Sequence, residues 1–209
     1  MIHLRVTAAT LRERDLEPAL AALRKGGVVA FPTETFYGLA ADPRSADAVK
    51  KVFAVKRRPP DHPLPLIAGS VEQIADHVGT MTRLAVRLAS RAWPGPLTLI
   101  IPASPVLCDD VHLSTGRVAV RVPADDVARI LASSAGHAIT STSANLSGDP
   151  PASTAERVMA TLAGSIDVLI DAGPTPAGLP STIVDVTGEA PVLVRAGVIP
   201  WERVLEFSK

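Results

Sequence analysis

The tightest constraint on this chain is a short apolar run that a proline cuts off. Val28 to Phe31 lies between Gly26-Gly27 and Pro32, a pattern that predicts a buried strand ending where proline withdraws its ladder donor. Thr33, Glu34, Thr35 and Tyr37 are then crowded onto a strand end, where open sheets hold ligands. A helix beginning near Ser45 returns the chain to Lys56, Arg57 and Arg58, and Pro59-Pro60 is expected to stop it. One connection therefore offers hydroxyls at one end and three cations at the other.

The remaining segments follow the same punctuation. Asp15 to Lys25 reads as a helix with Asp15 as its cap, Pro18 in its first turn and Gly26-Gly27 closing it. Ser45 caps the next helix, whose Val49, Val52 and Phe53 form one apolar stripe. Leu64 to Ala68 reads as a strand, Val71 to Val78 as a short helix, and Thr82 to Trp93 as a helix cut off by Pro94-Gly95-Pro96. Strands are expected over Leu97 to Ile101, Val118 to Val122, Ala138 to Thr140, Val168 to Ile170, Thr182 to Val186 and Val192 to Arg195. Helices are expected over Asp125 to Ser133, Thr154 to Leu162 and Pro200 to Leu205, while Ser141 to Gly148 is too rich in hydroxyls for a core element. Helices and strands alternate irregularly with at least one hairpin, so the predicted fold is α/β (α+β), three-layered, with a mixed parallel and antiparallel sheet. At 209 residues and 47% hydrophobic content, one substantial core and a single domain over 1–209 are expected.

Charge and cysteine content narrow the function. Lys and Arg number 21 against 21 Asp and Glu, so no global field would draw the chain onto nucleic acid or an anionic membrane. Cys108 is the only cysteine, which excludes an internal disulfide and is compatible with a reducing compartment. The first residues lack the layout of a signal peptide, and no apolar run approaches the roughly 18 residues of a membrane span, so a soluble cytoplasmic protein is expected. Neither Gly-x-Gly-x-x-Gly nor Gly-x-x-x-x-Gly-Lys-Ser/Thr is present. The five histidines are scattered without metal-ligand spacing, and no protein metal site is expected.

Several side chains carry chemistry in their positions. Lys56, Arg57 and Arg58 suit phosphate oxygens, although from composition alone a solvated helix end complementing the dipole is the preferred reading. Arg121 stands inside Val118-Ala119-Val120-Arg121-Val122, and a central strand would bury its guanidinium. It then needs either an internal salt bridge or a bound carboxylate or phosphate. Ser141 to Asn145 offers donors to an anion or a ribose, or forms a tight turn, and Ser181-Thr182 and Arg195 repeat the theme at two more strand ends.

Taken together, these blocks resemble the YrdC/Sua5 family. The matching segments are Pro32-Thr33-Glu34-Thr35 with Tyr37-Gly38-Leu39; Lys56-x-Arg58-Pro59 with Pro63-Leu64; Trp93-Pro94-Gly95-Pro96-Leu97-Thr98; Val120-Arg121-Val122-Pro123; Ser143-Ala144-Asn145-Leu146-Ser147-Gly148; Ser181-Thr182-Ile183-Val184-Asp185; and Arg195 with Gly197. The sequence departs from the family pattern at His62, where asparagine is frequent, at Leu66-Ile67, where many members place a histidine, and at Ser141-Thr142, which replaces Ala-Pro.

The resemblance implies a YrdC/RibB-like domain with a deep, positively lined cavity, and a nucleotidyltransferase, threonylcarbamoyl-AMP synthase. L-threonine, bicarbonate and ATP would give threonylcarbamoyl-AMP and pyrophosphate, for modification of adenosine 37 in tRNA. It further implies that Thr35, Arg121, Ser141 and Ser181 hold threonine. Lys56, Arg58, His62, Ser143, Asn145 and Arg195 would hold ATP, with Lys56 and Arg58 acting in catalysis. Mg²⁺ would accompany ATP, and tRNA and a threonylcarbamoyl-transferase complex are implied partners. Short relatives with the same fold also suggest an alternative, a module that binds double-stranded RNA or nucleotide without this activity.

Overall fold

A computed structural model describes residues 1–57, 59 and 62–209. Its first half contains β1 (Ile2–Arg5), α1 (Glu17–Arg24), β2 (Val29–Phe31), β3 (Gly38–Ala40), α2 (Ala46–Lys56), β4 (Leu66–Ile67), α3 (Val71–His77), α4 (Arg83–Ala92) and β5 (Leu97–Pro102). The second half contains α5 (Asp109–His112), β6 (Arg117–Arg121), α6 (Asp126–Ser134), β7 (Ile139–Thr140), β8 (Thr142–Ser143), α7 (Ala155–Leu162), β9 (Val168–Asp171), β10 (Thr182–Asp185), β11 (Val192–Arg195) and α8 (Trp201–Ser208).

Helix starts follow local side-chain chemistry. Ser45, Thr82, Asp125 and Thr154 each accept a hydrogen bond from the backbone N–H three residues on, satisfying a donor the helix leaves open. Asp15 does not cap α1. Its carboxylate accepts from the Arg12 N–H at 2.8 Å within a 3-10 turn, Glu13–Leu16, and the α-helix begins one residue later with Pro18 in its first turn. α2 ends at Arg57, whose φ of 50° places it in the left-handed region, ahead of the proline expected to stop the helix.

The described strands form two mixed sheets rather than one. The first runs β1-β9-β2-β3-β8, with β9 parallel to both β1 and β2 and the other pairs antiparallel. The second runs β11-β10-β5-β6-β4-β7, alternating antiparallel and parallel neighbours. The chain crosses between them over five residues. Ile139 and Thr140 pair with Ile67 and Leu66 in the second sheet, and Thr142 and Ser143 pair with Leu39 and Gly38 in the first. Thr140 stitches the seam, its Oγ1 accepting from Ala41 N–H at 2.9 Å and donating to Leu39 O at 3.0 Å. Ser141 is thereby held at the junction, its N–H donating to Pro65 O at 2.8 Å.

Two apolar clusters flank this junction. One packs Leu16 of the preceding 3-10 turn with α1 and α6, through Leu20, Leu23, Val127 and Leu131, onto Val29, Phe31, Ile67, Ile139 and Ile170. The larger one gathers α2, α4 and α7 against Leu39, Leu66, Leu97, Leu99 and Val120. Burying these aliphatic side chains is the main stabilising term, at roughly 1.5 to 3 kcal/mol for each fully buried one. None of the helices of the described residues is long and apolar enough to cross a membrane.

Candidate active site

A cavity of about 600 Å³ opens where the two sheets meet. Its floor is the face of the second sheet that carries Thr98 and Ile100 of β5, Ala119 and Arg121 of β6, and Ile183 of β10, and its wall is the Thr33–Gly38 loop with Ser141 to Ser143. Alternation along each strand explains the selection, because residues two apart share a face.

Seven of the ten residues that the sequence nominates line this cavity: Thr35, His62, Arg121, Ser141, Ser143, Ser181 and Arg195. They come from six separate stretches of chain. Lys56 and Asn145 stand behind the wall. Lys56 is 3% exposed, and its Nζ donates to Ser143 O at 2.5 Å, Asn145 O at 3.0 Å and Asn145 Oδ1 at 3.1 Å. Asn145 in turn donates through Nδ2 to Leu146 O and Asp149 O. This ammonium therefore ties the Ser143–Asn145 loop to the end of α2. Arg58 lies outside the described residues.

Arg121 resolves its buried charge internally. Its Nη1 donates to Glu34 Oε1 at 2.5 Å, while the guanidinium remains part of the cavity lining. Burial draws Arg121 below the ordinary arginine range, and the Glu34 and Asp125 carboxylates oppose that shift. Burial also lowers Arg195, reinforced by repulsion from Arg121. A guanidinium at Arg195 that feels the repulsion of Arg121 on the lining of the same cavity makes a place for an anion. Arg195 is clamped by Ser181, whose carbonyl accepts from Nε at 3.2 Å and Nη2 at 2.8 Å and whose hydroxyl accepts from Nη2 at 3.1 Å.

Hydroxyls supply most of the remaining polar lining. Thr33 Oγ1 donates to Phe36 O at 2.7 Å and accepts from the Thr35 N–H at 3.1 Å, which folds the loop after β2 back on itself. Tyr37, whose OH donates to Gly173 O at 2.7 Å, is an anchor whose phenol burial pushes to a higher pKa and away from ionisation. Two contributors were not nominated from sequence. Glu34 sits within the noted loop, and Thr98 is a buried cavity residue whose Oγ1 lies 2.8 Å from Ser181 Oγ. The signal for Thr98 was a hydroxyl inside the apolar run Leu97-Thr98-Leu99-Ile100.

A mixed α/β fold that gathers two arginines, an imidazole and a ring of hydroxyls from distant segments defines a small-molecule-binding protein suited to carboxylate and phosphate groups. The profile of the Sua5/YciO/YrdC family, described as "Telomere recombination", matches residues 21–197, and the chain belongs to that family. It is 40% identical over 194 residues to the threonylcarbamoyl-AMP synthase of Pyrococcus abyssi, covering 93% of this chain and 57% of that protein. Identity to the threonylcarbamoyl-AMP synthase of Bacillus subtilis is 42% over 191 residues, covering 91% and 55% respectively. The chain thus spans little more than half the length of these two relatives. The crystal structure of P. abyssi Sua5 complexed with L-threonine superposes with a TM-score of 0.91 at 38% identity, over 99% of this chain and 60% of that one.

Proposed function

We propose that the chain is a threonylcarbamoyl-AMP synthase, a nucleotidyltransferase that converts L-threonine, bicarbonate and ATP into threonylcarbamoyl-AMP and pyrophosphate. The observation that carries this reading is the convergence of Thr35, Arg121, Ser141 and Ser181 with His62, Ser143 and Arg195 on one cavity. The family membership and the L-threonine complex of the P. abyssi relative support it.

In this reading Arg121 pairs with the threonine carboxylate, which joins Glu34 on the remaining guanidinium donors, and Thr35, Ser141 and Ser181 meet its polar groups. The threonine amine and bicarbonate form a carbamate with loss of water. A carbamate oxygen then attacks the α-phosphorus of ATP in line, forming the new P–O bond as the bond to pyrophosphate breaks. Negative charge grows on the leaving phosphate oxygens, so Arg195, His62 and Ser143, fixed beforehand, contribute by positioning and electrostatics rather than as nucleophiles. Lys56 acts by holding the Ser143–Asn145 loop in register, and Arg58 supplies a further phosphate contact. The lining offers hydroxyl, imidazole and guanidinium groups at this end, so Mg²⁺ enters on the phosphates of ATP as part of the substrate. The product serves the modification of adenosine 37 in tRNA, delivered to a threonylcarbamoyl-transferase complex.

The test is pyrophosphate release by the purified chain given MgATP and bicarbonate. Release that requires threonine is expected; threonine-independent release, or none, removes the reading.

A further inference from the structure

Thr98 and Ser181 place two hydroxyl oxygens 2.8 Å apart on the cavity lining, on neighbouring parallel strand segments whose register pairs Thr182 with Leu97. Both are nearly buried, at 3% and 8% exposure. Arg195 contributes the decisive asymmetry. Guanidinium only donates, so its Nη2 bond to Ser181 Oγ takes one of that oxygen's two acceptor sites. Thr98 Oγ1 has no other partner among the described residues.

Two hydroxyls joined by one hydrogen bond use one of their two hydrogens. If Ser181 donates to Thr98, the free hydrogen is on Thr98 and a free acceptor site remains on Ser181. If Thr98 donates to Ser181, both acceptor sites of Ser181 are filled, its hydrogen is free, and Thr98 keeps two free acceptor sites. In either arrangement one oxygen has a hydrogen to give and the other has a lone pair to receive. Among the groups that threonine carries, the one that satisfies both at once is the hydroxyl, which accepts from one and donates to the other and closes a ring of three O–H···O bonds. Methyl offers neither function, ammonium cannot accept, and carboxylate cannot donate.

We propose that Thr98 is a specificity-determining residue which, with Ser181, reads a hydroxyl on the substrate side chain. The inference rests on the function proposed above and deepens it, since it assigns the recognition of threonine's β-hydroxyl to this pair. A pair built this way binds the hydroxylated amino acid and disfavours its deoxy analogue, because that analogue leaves the free hydrogen and lone pair buried without partners.

The test compares L-threonine with L-2-aminobutyrate, which lacks only the hydroxyl, by titration calorimetry on wild type, Thr98→Val and Thr98→Ser. Valine keeps the shape and β-strand preference of threonine without its oxygen, and serine keeps the oxygen without the methyl. Wild type is expected to prefer threonine. Thr98→Val is expected to reduce that preference about three- to tenfold, the range for one hydrogen bond, and Thr98→Ser to retain it within about twofold on the same scale. Unchanged selectivity in Thr98→Val, or equal loss in both variants, overturns the inference while wild-type threonine binding leaves the proposed function standing. A wild type that binds neither amino acid overturns both.

Discussion

Glu34 and Arg121 form an ion pair at 2.5 Å between side chains only 16% and 8% exposed, and just one of the two carboxylate oxygens takes part. Oε2 of Glu34 is buried without a hydrogen-bond partner among the described residues. A half-satisfied buried pair contributes little net stability while intact, yet leaves an uncompensated charge when cut. Glu34→Ala is expected to lower the unfolding free energy by about 3 to 5 kcal/mol, measured by urea denaturation at neutral pH. Removing both charges in Glu34→Leu/Arg121→Met is expected to recover most of that loss. A double variant no more stable than the single one would show that the pair does not behave as a buried charge couple.

Lys56 is expected to act on stability and loop order before it acts on chemistry. Its Nζ serves two carbonyls and an amide oxygen across the Ser143–Asn145 segment. Lys56→Met keeps the stem and removes those donors, leaving buried acceptors unpaired at about 1 to 3 kcal/mol each. Hydrogen exchange at the amides of Ala144 and Asn145 should speed up by at least about tenfold, the factor that 1.4 kcal/mol of local stability represents. Exchange unchanged from wild type would mean that the loop holds itself without the lysine.

How far the sequence reaches is visible in which of these features it contained. Helix starts are local, so Ser45 was legible as a cap and Thr82, Asp125 and Thr154 as the first residues of helices, and each of the four accepts from the N–H three positions on. β3 and β8 were not, because Gly38–Ala40 and Thr142–Ser143 are strands only through each other and carry no apolar alternation of their own. Division into two sheets escaped for the same reason, since it depends on a five-residue crossover that looks like a polar turn. β1 escaped because Ile-His-Leu-Arg is too short a run to stand out, although it pairs along its full length with β9. Arg121 was correctly marked as needing a partner, and Glu34 supplied it from a loop 87 residues away in sequence. Lys56 was legible as a cation suited to phosphate, but two of its hydrogen bonds lie with the backbone oxygens of Ser143 and Asn145, which no side-chain pattern reveals.

Acid should weaken the fold through His137. This ring is buried, with Nδ1 2.7 Å from Ala138 O and Nε2 3.6 Å from Asp42 Oδ2. Burial lowers its pKa, reinforced by the Arg44 and His77 charges and opposed by the Ala138 carbonyl and Asp42. A pKa lower in the folded than in the unfolded chain means that the unfolded chain binds the proton first. Stability from this residue is therefore present above the unfolded histidine value of about 6.5 and lost as pH falls through it toward the folded pKa, at up to about 1.4 kcal/mol per pH unit. Asp125, raised mainly by burial, has the opposite sign: its contribution is present below the ordinary carboxylate value and lost as pH rises through its folded pKa. Urea unfolding between pH 8 and 5 should show the histidine slope in wild type and a flatter line in His137→Gln; parallel lines would assign the slope elsewhere.

Gly197 sets the geometry of Ser181 by the absence of a side chain. A Cβ built at 197 would lie 2.3 Å from Pro180 O, 2.5 Å from Ser181 C and 2.5 Å from Thr182 N, all backbone atoms with no rotamer to yield. The approach is locked on both sides, by Val198 N–H donating to Pro180 O at 3.0 Å and by Thr182 Oγ1 accepting from Ile199 N–H at 3.0 Å and donating to Ile199 O at 2.7 Å. Alanine at 197 must therefore push the start of β10 away, moving Ser181 relative to both Thr98 and Arg195. Overpacking of this kind costs about 1 to 3 kcal/mol, so thermal unfolding of Gly197→Ala should fall by several degrees. On the proposed function, threonine affinity should fall further than in Thr98→Val, because the displacement disturbs the Arg195 clamp as well as the hydroxyl pair. Gly188→Ala is the control, since a Cβ there meets nothing within 4 Å, and its melting temperature and threonine affinity should match wild type. If Gly197→Ala also matches wild type, the backbone at Ser181 is more yielding than this packing requires, and the position of the Ser181 hydroxyl depends on something other than that close contact.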